Sequence, residues 1–144
     1  MEIFWSGHSF KLKGKLATAI VSAEGVSIEP QFFSGPGEYE SKGIMVTGIK
    51  GEEGVAYQIT VDGLQIVYLG SKVSGEQTDI LLTPTAGDAA DLEPKIIIPF
   101  AEDTESLNKL IKELGGEGVT PQPKLSVTKD KLPEEPTVVV LQHG

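Results

Sequence analysis

Cysteine is missing from all 144 residues. Its absence removes disulfides, thiolate metal ligands and a thiol nucleophile. A cysteine-free chain suits a reducing compartment, and the cytoplasm is the expected location. Histidine is nearly missing too, since His8 and His143 are the two in the chain. They show neither His-x-His nor His-x-x-x-His spacing, whereas a catalytic zinc takes about three protein ligands, usually imidazole or carboxylate. Positive charge is scarce: 12 Lys and Arg against 21 Asp and Glu give a net charge of −9. Binding a phosphate backbone needs clustered basic groups, so nucleic acid is not an expected partner. The opening residues Met1 to Trp5 have no basic region and no long apolar run, so neither a signal peptide nor a membrane span is expected. Walker-type and Rossmann glycine fingerprints are missing as well. Gly115-Gly116-Glu117-Gly118 follows a helical pattern, whereas a phosphate-binding loop precedes its helix.

What is present reads as one β-rich α/β domain over residues 1–144, with 39% hydrophobic and 23% charged residues. Ile3 to Trp5, Phe10 to Lys13, Leu16 to Ser22 and Val26 to Ile28 form a series of short strands, several of them alternating. Val55, Tyr57, Ile59 and Val61 share one face of a further strand. Asp62-Gly63 is the strongest hairpin signal, with Leu64 to Leu69 returning. Ile80-Leu81-Leu82 and Ile96-Ile97-Ile98 are short continuous runs, which suit strands covered on both faces. The main helix is expected over Thr104–Leu114. Asp103 or Thr104 caps it, Leu107, Leu110, Ile111 and Leu114 form one buried stripe, and Gly115-Gly116 stops it. Lys124 to Val127 and Val138 to Leu141 read as closing strands. Phe33-Ser34-Gly35-Pro36-Gly37-Glu38-Tyr39-Glu40 predicts a tight reversal, because Gly and Pro supply the backbone angles a turn requires.

Three stretches carry a family resemblance. Ile3-Phe4-Trp5-Ser6-Gly7-His8-Ser9-Phe10-Lys11-Leu12-Lys13-Gly14 resembles the opening strands of metallo-β-lactamase-fold hydrolases, in the branch related to ascorbate-lactone hydrolases. Ser34 to Glu40, with Gly43 to Gly48 after it, is similar to a mid-domain hairpin of that branch. Gly63 to Gly70, Thr78 to Pro84 and Leu92 to Pro99 follow the order of the family's second half. The resemblance implies a sandwich of two mixed β-sheets with outer helices, here reduced to one main helix. It also implies a metal site at one edge, built from a His-x-His-x-Asp-His loop, a further His, a bridging Asp and a last His.

This chain departs from that set. The His-rich loop falls in the interval Val21 to Gln31, which holds no His. Ser71 stands where the bridging Asp belongs, and Ala101 where the last His belongs. His8, Ser71, Ala101 and Glu102 are therefore the expected lining of a vestigial pocket. No catalytic residue, no metal ligand and no cofactor is expected, although the family implies zinc. Ser6, His8 and Ser9 read as a polar turn in preference to a Ser-His pair, since no orienting group or oxyanion hole accompanies them. Glu38 and Glu40 fall on one face of an extended segment, whereas a glycosidic acid–base pair flanks its substrate. The expected function is a non-catalytic binding or assembly protein. The alternative is a metal-dependent hydrolase with unrecognised ligands. A homodimer or other self-association is expected, because one helix leaves apolar sheet surface or an open strand edge uncovered beside Ile80-Leu81-Leu82, Ile96-Ile97-Ile98 and Val138-Val139-Val140.

Overall fold

The computed structural model of the chain describes residues 1–51, 54–68, 78–87 and 92–142. Two sheets pack face to face. The first has six strands, in the order β12-β1-β2-β3-β4-β5. Its members are β1 (Glu2–Trp5), β2 (Phe10–Lys13), β3 (Thr18–Ser22), β4 (Gly25–Ile28), β5 (Gln31–Phe33) and the late β12 (Leu125–Ser126). Every pairing in it is antiparallel. The expectation of two mixed sheets is thus refined: only the second is mixed. Chain-adjacent strands joined by short turns can pair only antiparallel, and β1 to β5 are all joined that way.

The second sheet has seven strands, in the order β13-β11-β10-β9-β8-β7-β6. They are β6 (Gly37–Ser41), β7 (Ile44–Lys50), β8 (Val55–Val61), β9 (Leu64–Tyr68), β10 (Ile80–Thr83), β11 (Ile96–Pro99) and β13 (Thr137–Val138). From β6 to β9 the pairing is antiparallel, and from β9 to β13 it is parallel. Asp62 and Gly63 both take left-handed angles, with φ of 51° and 79°, as a two-residue hairpin turn demands.

Between the sheets lies the main core. Ile3, Phe10, Leu12, Val21 and Ile28 face it from the first sheet; Val46, Tyr57, Ile59, Ile66, Leu82 and Ile98 face it from the second. A smaller cluster of Ala56, Val67, Leu81, Leu92 and Ile97 lies on the second sheet's outer face, with Leu114 and Val138 packed against it. Leu81 and Ile97 therefore bury opposite faces of their strands from Leu82 and Ile98, as continuous apolar runs require.

The helix α1 (Thr104–Glu113) lies against β11. Asp103 caps it: the Ser106 backbone N–H donates to its carboxylate at 2.7 Å. At the far end Gly115 takes φ 77°, and the Gly116 N–H returns to the Ile111 carbonyl at 2.9 Å. That is a Schellman stop. The stripe predicted as core divides. Leu110 is buried at 6% exposure, whereas Leu107 and Ile111 stay half-buried.

The Gly-Pro-Gly stretch is no tight reversal. It carries the chain from β5 at the edge of the first sheet to β6 at the edge of the second. Tyr39 stacks on Phe33 with ring centroids 4.9 Å apart. Its hydroxyl donates to the carbonyls of Ser34 and Pro36, both at 3.1 Å. The Gly35 N–H donates to the Tyr57 hydroxyl oxygen at 3.0 Å. Gly48 must be glycine here, because a Cβ there would lie 2.1 Å from the Gly35 carbonyl oxygen. The closing strands are also shorter than expected, two residues each at β12 and β13, with Leu141 held by a bridge to Gln122.

Candidate functional site

The parallel strands β9 and β11 end at the same edge of the sandwich, beside the β1–β2 turn. Four aromatic rings meet there. Trp5 lies 4.4 Å from Phe10 and 5.4 Å from Phe100, centroid to centroid. Tyr68 stacks on Phe100 at 5.4 Å, and Phe10 meets both edge-on, Tyr68 at 6.4 Å and Phe100 at 5.3 Å. Phe10 and Tyr68 are buried. Such offset and edge-on pairs stabilise beyond the area they bury. Burial, and next the charge of Glu24, raise the Tyr68 phenol above its ordinary value.

His8 sits on the β1–β2 turn with its side chain 74% exposed, and its Nε2 lies 3.5 Å from the Glu24 carboxylate. The hydroxyl of Ser22 donates to that carboxylate at 2.7 Å. This bond, the backbone N–H of Glu24 and then His8 hold the Glu24 carboxyl below the usual range. The turn's serines serve the turn itself: the Ser9 N–H donates to the Ser6 hydroxyl oxygen at 3.0 Å, and the Ser6 N–H to the Ser9 carbonyl at 3.0 Å. Ser6 also accepts from the backbone of His8 at 3.4 Å. That is the polar-turn reading. The interval Val21 to Gln31 is a β-hairpin continuing into β5. Glu38 and Glu40 both lie exposed on β6, as expected of a solvated strand face.

Ala101 and Glu102 come together. Both line a cleft of about 820 Å³ between α1 and the segment that follows it, with Trp5 also in its wall. His8 is not among the lining residues of that cleft. Ser71 and His143 lie outside the described residues.

One buried carboxylate escaped the sequence reading. Asp79 is 7% exposed and stands just before β10, at the end of the sheet away from Ala101. It accepts from the Gln65 backbone at 2.8 Å and from the Lys129 ammonium at 2.7 Å. These partners account for it as a structural staple. Its one sequence signal was an Asp placed directly before a continuous apolar run.

The described residues do not assemble a zinc ligand set. Among the described residues, no group of three or more His, Asp or Glu side chains converges. Among the described residues, Trp5, Phe10, Tyr68 and Phe100 bring to the strand-end edge three apolar or indole rings and a phenol, and the Ala101 side chain carries no donor atom. Nor does any described helix have the length and apolarity to cross a membrane.

Neither a protein-family profile nor a curated protein sequence matches the chain. Among solved structures, a Thermotoga maritima protein superimposes with a TM-score of 0.75 and 19% identity, over 98% of each chain. It is described provisionally as a Zn-dependent hydrolase of the metallo-beta-lactamase superfamily. The chain has a metallo-β-lactamase-like fold. The β-rich two-sheet architecture with its late helix, expected from the sequence, is thus present. In this fold the strand-end edge holds four aromatic rings from β1, β2, β9 and the residue after β11.

Proposed function

We propose that this chain is a non-catalytic binding or assembly protein, a shortened member of the metallo-β-lactamase superfamily that lacks the metal ligands. The order of its three family-like stretches favours the branch similar to ascorbate-lactone hydrolases. One observation carries the non-catalytic reading: the packing of Trp5, Phe10, Tyr68 and Phe100 at the strand-end edge. An open zinc site needs a coordination position for water and polar partners that orient its ligands. Stacked rings supply neither. The cysteine-free sequence suits the cytoplasm, and self-association belongs to the same reading.

Elemental analysis of protein purified without chelator tests the reading. The expected result is far less than one equivalent of zinc, manganese or iron per chain. One or two tightly held metals per chain would overturn it and favour a hydrolase whose ligands lie elsewhere.

A further inference from the structure

We propose that the cleft beside α1 binds a small organic cation with an apolar, ring-sized body. The proposal rests on the reading of a binding protein and names the class of molecule bound. The cleft holds about 820 Å³, within the roughly 300–1,000 Å³ common for small-molecule sites. Its walls are apolar on both sides. Leu107 and Ile111 of α1 form one, and Val119 and Pro121 the other. Val140 and Leu141, each 4% exposed, line it from the core. The half-burial of Leu107 and Ile111 and the 38% exposure of Val119 leave apolar surface that no described residue covers.

Charge selects the occupant. Glu102, Asp103 and Glu117 line the cleft against one cation, Lys112. The whole chain adds a net −9, so an anion is repelled and a cation concentrated. A helix N-terminus ordinarily attracts anions, and this one opens at the cleft. Here Asp103 already fills that role, with both its oxygens bonded to Ser106. Those bonds hold its carboxyl below the usual range, so it stays ionised. Trp5 completes the arrangement. Phe10 and Phe100 pack on its ring, and it remains part-exposed in the cleft wall. An indole beside carboxylates recognises alkylated ammonium groups, which are attracted to the ring face and keep little hydration.

Trp5 is the single tryptophan of the chain, so its fluorescence reports from the cleft itself. The test titrates chelator-treated, full-length protein with benzyltrimethylammonium, and in parallel with phenylacetate and benzyl alcohol. The expected result is a saturable change in emission, with the cation bound about tenfold more tightly than either analogue, a gap of about 1.4 kcal/mol. The double variant Glu102→Gln, Glu117→Gln should lose most of that preference and keep its affinity for benzyl alcohol. Both positions are exposed, and circular dichroism checks that the variant folds. Equal affinity for all three probes, preference for phenylacetate, an unchanged preference in the variant, or no saturable response would each overturn the proposal. A bound metal would sink the non-catalytic reading and leave this titration intact, while a silent titration would leave the metal result intact.

Discussion

The outer faces of the two sheets are treated oppositely. On the second sheet, Ala56, Val67, Leu81 and Ile97 cluster with Leu92, with Leu114 and the edge-strand residue Val138 packed against them, and each of the four is buried. On the first sheet, strand register places Phe4, Lys11, Ile20, Ser27 and Phe32 in one row across five strands. Ile20 is 41% exposed and Phe32 59%. The second sheet is buried on both faces at β10 and β11, though Met45 on its β7 is 57% exposed, and the first sheet is buried on one face. That difference explains their sequences: β10 and β11 are continuously apolar because both faces need it, and β2 alternates because one face meets water. It also moves an expectation. Counting helices placed the uncovered apolar surface on the second sheet. The structure exposes Ile20 and Phe32 on the first sheet, while Leu92 and Leu114 pack over Leu81 and Ile97 of the second.

The largest expected effect breaks the comparison most directly. Leu81→Ala removes a fully buried side chain from the roofed face and should cost about 2–5 kcal/mol. Ile20→Thr keeps β-branching on the open face and should stay within about 0.5 kcal/mol. Urea unfolding of the two variants at low protein concentration measures both. Equal losses would show that the first sheet's outer face is as well covered as the second's.

A smaller effect concerns the inner side of the second sheet. The Tyr68 phenol is raised above its ordinary 10.0, by burial first and by Glu24 second. The unfolded chain therefore loses this proton at lower pH than the folded one. The stabilisation is complete below about pH 10 and is lost as pH rises through the folded value. Tyr68→Phe should flatten that alkaline decline, whereas Ile20→Thr should leave its slope unchanged. Unfolding midpoints measured at about pH 8 and about pH 11 decide it. A Tyr68→Phe slope identical to that of the parent would mean the phenol titrates as if exposed.

Much of this architecture was legible because local chemistry determines it. Alternation found β2 and the inward face of β8, Asp62-Gly63 found its hairpin, and Asp103 with Gly115 bounded α1. The crossover at Gly35-Pro36-Gly37 was not legible, since turn residues set backbone angles and not which sheet receives the next strand. The closing strand β13 was overdrawn because apolar Val139 and Val140 continue the pattern, while the chain there turns from its pairing with β11 to bonds with Gln122. Of the candidate site, Ala101 and Glu102 do share a cleft. The aromatic edge was hidden because Trp5, Phe10, Tyr68 and Phe100 are distant in sequence and each reads alone as an ordinary strand residue. The division of the α1 stripe was equally hidden, because helical period marks an apolar face without saying whether a neighbour reaches it.

The last prediction sharpens the comparison without touching the core. We propose that the first sheet's open face pairs with the same face of a second copy. Along the row Phe4, Lys11, Ile20, Ser27, Phe32 the pattern is symmetric about Ile20. A two-fold axis through Ile20 lays Phe4 over the partner copy's equivalent of Phe32, and Lys11 over that of Ser27. The two Lys11 ammonium groups are thereby kept apart, and Lys11 already rests over the Phe4 ring at 5.0 Å. The row spans roughly 19 Å at ordinary strand spacing, and two-fold pairing of one self-complementary patch is the commonest way such a face closes. Ile20→Lys places two ammonium groups against each other at the axis. It should change folding stability little in dilute solution, where the position is solvated, and convert the dimer to a monomer. Light scattering at micromolar concentration should give twice the 15.3 kDa chain mass for the parent and a single chain mass for the variant. A parent that scatters as a monomer, or a variant that remains dimeric, would show that this face meets only water.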